Sequence, residues 1–170
     1  MPWRKSNKPS DRFEDVNFDG QDLEGEDFRN RKINGSFENA NLAGAKFSES
    51  VLSTVSFRGA NLANADFRSS RMLATNFQGA ILDGAKFHYS DLRKANLRET
   101  SLIGAMLVHA DLTGGSLFKA VLIRANIEHA ILKDVDLGFA NFTDAKAEGT
   151  VWPDFAYFGE AIMMNGKKKS

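Results

Sequence analysis

Ala60-Asn61-Leu62-Ala63-Asn64 and Ala65-Asp66-Phe67-Arg68-Ser69 are two five-residue units of one form: small, polar, large apolar, then two variable positions. Outward from them, a large apolar residue recurs at every fifth position from Phe37 to Phe142 without exception, through Leu42, Phe47, Leu52, Phe57 and onward. Two residues before each stands a small side chain, most often Ala and otherwise Gly, Ser, Thr or Val. A step of five precesses around the 3.6-residue turn of an α-helix and buries no face, and a flat strand needs period two, which the small–large pair satisfies for only three residues. A chain that turns inward at these two positions and outward at the other three winds into a solenoid, with successive coils stacked like a parallel sheet.

The number of sides follows from side-chain size. Read in steps of four units, the centres fall into four columns: Phe37, Phe57, Phe77, Leu97; Leu42, Leu62, Leu82, Leu102; Phe47, Phe67, Phe87, Leu107; and Leu52, Met72, Leu92, Leu112. Alternating Phe and Leu columns put the two Phe columns opposite one another and fill a square cross-section. Phe13, Phe18, Leu23, Phe28 and Ile33 keep the five-step but lie one residue out of phase, which a shortened corner between Ile33 and Phe37 explains. The inward positions of this stretch, Val16, Gln21, Glu26 and Arg31, are polar in three of four cases, as expected of an end coil facing water.

The units at 60–64, 65–69, 95–99 and 110–114 resemble the pentapeptide repeat, A(D/N)LXX, over roughly residues 13–152. That resemblance implies an all-β fold, a right-handed four-sided parallel β-helix of about seven coils, which at about 4.8 Å per coil make a rod about 33 Å long. Val55, Thr100 and Val135 at inward positions and Ala147 at a centre depart from the pattern.

The organisation expected is a flexible N-terminal tail over 1–12, the β-helix over 13–152, a cap over 153–165 and a flexible basic tail over 166–170. The cap is read as a short amphipathic helix, with Pro153 at its first position and Phe155, Phe158, Ile162 and Met163 on its apolar side. Its role is to cover the open coil edge, and the rival reading is a dimer contact.

Charges balance, 22 Lys plus Arg against 22 Asp plus Glu, so a generally basic nucleic-acid binder is not indicated. Absence of cysteine removes disulfides and thiolate chemistry. No stretch has the apolar length of a membrane span, so no membrane partner is expected and the localisation read is cytoplasmic.

No catalytic, cofactor-binding or metal-binding constellation is expected. Ser50, Ser70 and Ser90 form an inward column without a histidine beside them, and hydroxyls bonded to nearby backbone account for them. Tyr89, His109 and His129 occupy equivalent positions in consecutive coils and should form a vertical column beside His88, Glu128 and Glu148; the plain reading is a solvated ladder, the rival a metal or acid–base site. More telling are apolar residues at outward positions: Ile81, Ile103, Val121 and Ile123 on the Leu42 side, with Phe118 and Phe139 near the shared corner. Such a cluster marks a protein interface, to an unknown partner or to a second copy.

These features make a non-catalytic protein-binding or scaffold protein the first functional reading, with no small-molecule substrate. The second, implied by the family resemblance, is a DNA-mimicking inhibitor of DNA gyrase or topoisomerase. A mimic needs a continuous acidic stripe, whereas Asp66 lies between Lys46 and Lys86 in its column, and Asp91 and Asp111 share theirs with Arg71.

Overall fold

A computed structural model describes residues 12–154 and 161–163. One corner shows how a coil is built. Leu62 N–H donates to Ile81 O at 2.7 Å and Asn64 N–H to Asp83 O at 2.8 Å in the next coil, Asn61 N–H reaches the preceding one at Ala40 O (2.9 Å), and Ala65 N–H closes the corner on Leu62 O (3.0 Å). The corner needs a left-handed residue before the next inward position. Gly supplies it at Gly44, Gly59, Gly79, Gly84 and Gly104, but Asn64, Tyr89, His109, Lys119 and Phe139 adopt it with φ of 57–59°. The polar residue before each centre has its own local role. The Oδ1 atoms of Asn61, Asp66, Asn76, Asp91 and Asp111 accept from the N–H two residues on, which supports the extended-then-turn geometry.

Parallel bridges join positions one coil apart along the rod, and four faces result. The first carries the Phe37 column, the second the Leu42 column, the third the Phe47 column and the fourth the Leu52 column. The centres from Leu23 to Leu137 and Phe142 are buried, as are the alanines at the inward positions, so this is one continuous core along the axis. In it the Phe rings of the first face stack on one another, as do those of the third, and the two stacks meet edge to face: Phe57–Phe77 lie at 5.2 Å and 7°, Phe57–Phe67 at 5.9 Å and 77°. Ser70, Ser90 and Thr100 bond the carbonyl of the centre three residues back, while Ser50 reaches Phe28 O and Thr75 reaches Leu52 O, as expected for hydroxyls at inward positions.

The phase slip near the N-terminus has a defined form. β1 (Arg12–Asn17) pairs in parallel with β2 (Lys32–Ser36), Phe13 opposite Ile33 and Val16 opposite Gly35, with a bulge between. The shortened corner between Ile33 and Phe37 is not a tight turn; it runs straight as β2. Above it the register holds, for Asn17 bridges Ser36, Asp22 bridges Asn41 and Asp27 bridges Lys46. Gly35 makes the straightened corner workable: its φ is 143°, and a Cβ there would run into the Val16 carbonyl.

At the other end the expected cap helix is corrected. Pro153, Asp154 and Ala161–Met163 are not helical, and residues 155–160, 164 and 165 of the proposed cap lie outside the described residues. Ala161-Ile162-Met163 instead repeats the small–outward–large triplet: Ile162 bridges Asn141, its N–H donates to Ala140 O (2.9 Å) and its carbonyl accepts from Phe142 N–H (2.7 Å). Ala161 is buried and Met163 packs on the core, so the triplet adds a rung to the second face. Helical spacing of Ile162 and Met163 misled because the repeat's own triplet fits the same residues. Trp152, the last centre of the fourth face, meets Phe142 edge-on at 5.5 Å. Among the described residues no helix is long and apolar enough to cross a membrane.

Candidate functional site

With four faces fixed, each outward residue has an address. The second face carries Ile81, Ile103, Val121 and Ile123, now followed by Ile162, which the sequence had assigned to the cap. Among the described residues this face alone has no Lys or Arg in the two outward columns flanking its centres, where its charges are Asp22, Glu24 and Asp83; Arg124 and Asp144 stand at its corner. Its lower flanks are smooth, with Gly20, Gly59 and Gly79 along one corner and Gly25, Gly44, Gly84 and Gly104 along the other. Ile81 is 46% exposed, whereas Ile103, Val121 and Ile123 are half-buried. Asp83 organises this strip: one carboxylate oxygen accepts from Ser101 Oγ (2.6 Å) and from Ile103 N–H (3.0 Å).

Phe118 and Phe139 sit at the first-face side of the shared corner and meet at 5.5 Å, edge to face. Phe118 is not a bare ring: the Arg98 guanidinium lies 4.2 Å above its centroid and pairs with Asp136 at 3.4 Å. Phe139 remains 50% exposed. The column reading missed exposed Leu73, Ile131 and Val151 on the fourth face, although their outward positions were readable by the same rule.

Along the corner between the third and fourth faces, Tyr89, His109 and His129 form a ring ladder, with centroids 4.9 Å apart at both steps and tilts of 14° and 10°. In rings stacked this nearly parallel, the nitrogen lone pairs lie in separate planes and do not face one another. Among the described residues no three His, Asp or Glu side chains converge to hold a metal. The ladder stops at Tyr89, because the next positions down are Ser69 and Glu49. There an open cleft of about 470 Å³ is lined by Ser48, Glu49, Arg68, Ser69, His88 and Tyr89.

The cleft's chemistry is set by two neighbours. Arg68 is tied to Asp66 through Nε (2.9 Å) and Nη2 (2.7 Å), a hydrogen-bonded pair that holds the Asp66 carboxyl below its usual range. The same i, i+2 fork joins Arg29 to Asp27 and Arg93 to Asp91. His88 is pushed the other way from a charged imidazole: burial, then the Arg68 charge, lower its pKa, so it is neutral near pH 7. Its Nδ1 is buried without a hydrogen-bond partner. Only its place just after a centre was legible in the sequence; the orphaned nitrogen was not.

Comparison with known proteins agrees with this architecture. Among curated proteins none matches the chain. Among solved structures, two trypsin-treated variants of QnrB1, described as a plasmid-mediated fluoroquinolone resistance protein, are similar: one is 22% identical, covering 87% of this chain and 77% of that one with a TM-score of 0.78, the other 20% identical, covering 87% and 82% with a TM-score of 0.69. HetL, a pentapeptide repeat protein involved in heterocyst differentiation regulation from the cyanobacterium Nostoc, is 20% identical over 96% of this chain and 94% of that one, with a TM-score of 0.36. The family model for pentapeptide repeats matches residues 36–72, 80–117 and 120–150 with 8 copies. The chain therefore belongs to the pentapeptide repeat family, whose right-handed quadrilateral β-helix it adopts.

Proposed function

We propose that this protein is a non-catalytic binding module whose second face docks another protein. The observation that carries the reading is the make-up of the flat of that face: no cation stands in its two flat outward columns, where branched apolar side chains rise instead, and the nearest cations, Lys119 and Arg124, keep to its corners. Interfaces are depleted of charge at their centres and enriched in apolar anchors. A prebuilt rod also loses little conformational freedom on docking, which favours affinity from a modest patch. Phe139 at the corner extends the surface toward the first face.

A photo-crosslinking residue placed at Ser101, on the second face, should trap one protein that the same residue at Gln78, on the first face, does not. Ile103→Lys with Ile123→Lys should abolish that product while leaving the far-UV spectrum and melting temperature near wild type. Equal trapping from both positions, or trapping unaffected by the two lysines, would remove the proposal. If the trapped protein is a second copy and the mass in solution doubles, self-association replaces it.

DNA mimicry of the kind implied by the family resemblance finds less support. Asp27, Asp66 and Asp91 are each closed by the arginine two residues on, so the third and fourth faces offer alternating charge instead of an acidic stripe. A gyrase supercoiling assay separates the readings, since inhibition at micromolar protein would favour the mimic.

A further inference from the structure

The ring ladder of the third corner ends with one side of Tyr89 unmatched. His109 covers its upper face at 4.9 Å, and below it, where a further ring would continue the stack, stands the small Ser69 and then Glu49. The gap is the cleft of about 470 Å³, and Tyr89, 67% exposed, forms its ceiling. One wall holds His88 with its buried, unbonded Nδ1, and a polar atom in that condition calls for an explanation. Because the imidazole is neutral, the tautomer protonated at Nε2 makes Nδ1 an acceptor, one screened from solvent as the ring stands and reached by a ligand once the ring turns toward the cleft.

The cleft also holds an unused acceptor. Arg68 gives Nε and one Nη2 hydrogen to Asp66, as Arg29 does to Asp27, and keeps its Nη1 hydrogens outside that pair, whereas the Glu49 carboxylate is hydrogen-bonded to neither arginine. Ser48 and Ser69 add hydroxyls. What fits is a flat group about one rung thick that stacks beneath a phenol ring and donates in its own plane to a nitrogen and a carboxylate. A guanidinium has that shape and five N–H donors. An ammonium lacks the plane, a neutral ring leaves Glu49 unanswered, and an anion would face Glu49 and an acceptor nitrogen. Lys46 and Lys86 stand at the other outward column of the same face, so selection rests on geometry and hydrogen bonding rather than on net charge.

We propose that the cleft between Glu49 and Tyr89 is a binding site for the guanidinium of an arginine presented by a protein partner, stacked under Tyr89 and hydrogen-bonded to His88 and Glu49. The inference does not depend on the second face, since this corner lies diagonally across the square from the corner that carries Phe139.

The test uses the full chain labelled with ¹⁵N-histidine and titrated with N-acetyl-arginine amide, N-acetyl-lysine amide, N-acetyl-tryptophan amide and inorganic phosphate. The arginine probe should shift the His88 Nδ1 resonance saturably, and the other three should not. Glu49→Gln and Tyr89→Asn, which tolerates the left-handed corner, should each weaken arginine binding roughly three- to fivefold. Ile103→Lys should leave it unchanged. The proposal is overturned if lysine and arginine act alike, if phosphate or the tryptophan probe shifts His88 instead, or if binding survives both corner substitutions. Melting curves of the two variants confirm that a loss reflects the cleft; an unfolded Tyr89 variant leaves Glu49→Gln to decide.

Discussion

The rings of Phe67 and Phe87 lie parallel, 5.1 Å between centroids and inclined by 3°, while Phe77 presents its edge to both, at 5.8 and 6.2 Å. Each ring of the central coils is therefore held vertically by a stack and laterally by an edge contact, a three-way fit that no smaller side chain reproduces. Phe67→Ala should cost about 3–5 kcal/mol by urea unfolding. Phe67→Leu should cost less, because Leu107 already occupies the same column two coils on. Since coils contact only their neighbours, the alanine variant should also lose a single cooperative transition, visible as separate transitions by different probes.

Gly35 and Gly79 distinguish two uses of the same residue. At Gly79, φ is 67° and nothing lies within 4 Å of an added Cβ, and Ala74 already adopts a left-handed corner, so Gly79→Ala should cost about 1 kcal/mol. At Gly35 a Cβ would strike the Val16 carbonyl. Gly35→Ala should therefore lower the melting temperature several times more than Gly79→Ala, and should speed hydrogen exchange in β1 and β2 selectively.

Acid should weaken the rod in two separable steps. His88 prefers its neutral form in the folded state because of burial, so the unfolded chain binds the extra proton and stability falls as pH drops below the ordinary value of 6.5. His88→Gln should flatten this first loss. Asp27, Asp66 and Asp91 have folded pKa values below the ordinary 3.8, chiefly through side-chain hydrogen bonds from Arg29, Arg68 and Arg93. Their contribution is present above that value and disappears as pH falls through the lowered ones. The arginines are half exposed, so added salt should shrink this second step, and Asp66→Asn with Asp91→Asn should reduce it in a pH series of thermal melts.

Ile162 closes the second face by donating to Ala140 O and accepting from Phe142 N–H. Ile162→Pro removes the donor and leaves a buried carbonyl unanswered, at about 1–3 kcal/mol. Exchange of the Phe142 amide should accelerate, while that of Leu62, several coils below, should not.

The coil was legible because the repeat writes inward and outward positions into the chain at a fixed period, and every centre from Phe37 to Phe142 landed inside. Columns survived the slip at Ile33–Phe37 for the same reason, since Phe18 and Phe28 still sort by size. What could not be read was conformation at the ends. Gly35 opens a corner into a strand because of Val16, a residue one coil away, and Ile162 bridges Asn141 at a step of 162 − 141 = 21, one residue off the period. The Tyr89–His109–His129 column followed from spacing alone, but the cleft beneath it required knowing that Arg68 turns to Asp66 and that His88 Nδ1 is left unbonded.

The bonds between coils run along the rod, as Leu62 to Ile81 and Phe67 to Lys86 show. Tension applied between the two ends would meet those bonds head-on, one storey at a time, rather than shearing many together. The molecule would then yield like a zip, each storey releasing twenty residues or about 65 Å of slack, and a partner gripping one wall would feel the pull only when its own storey let go.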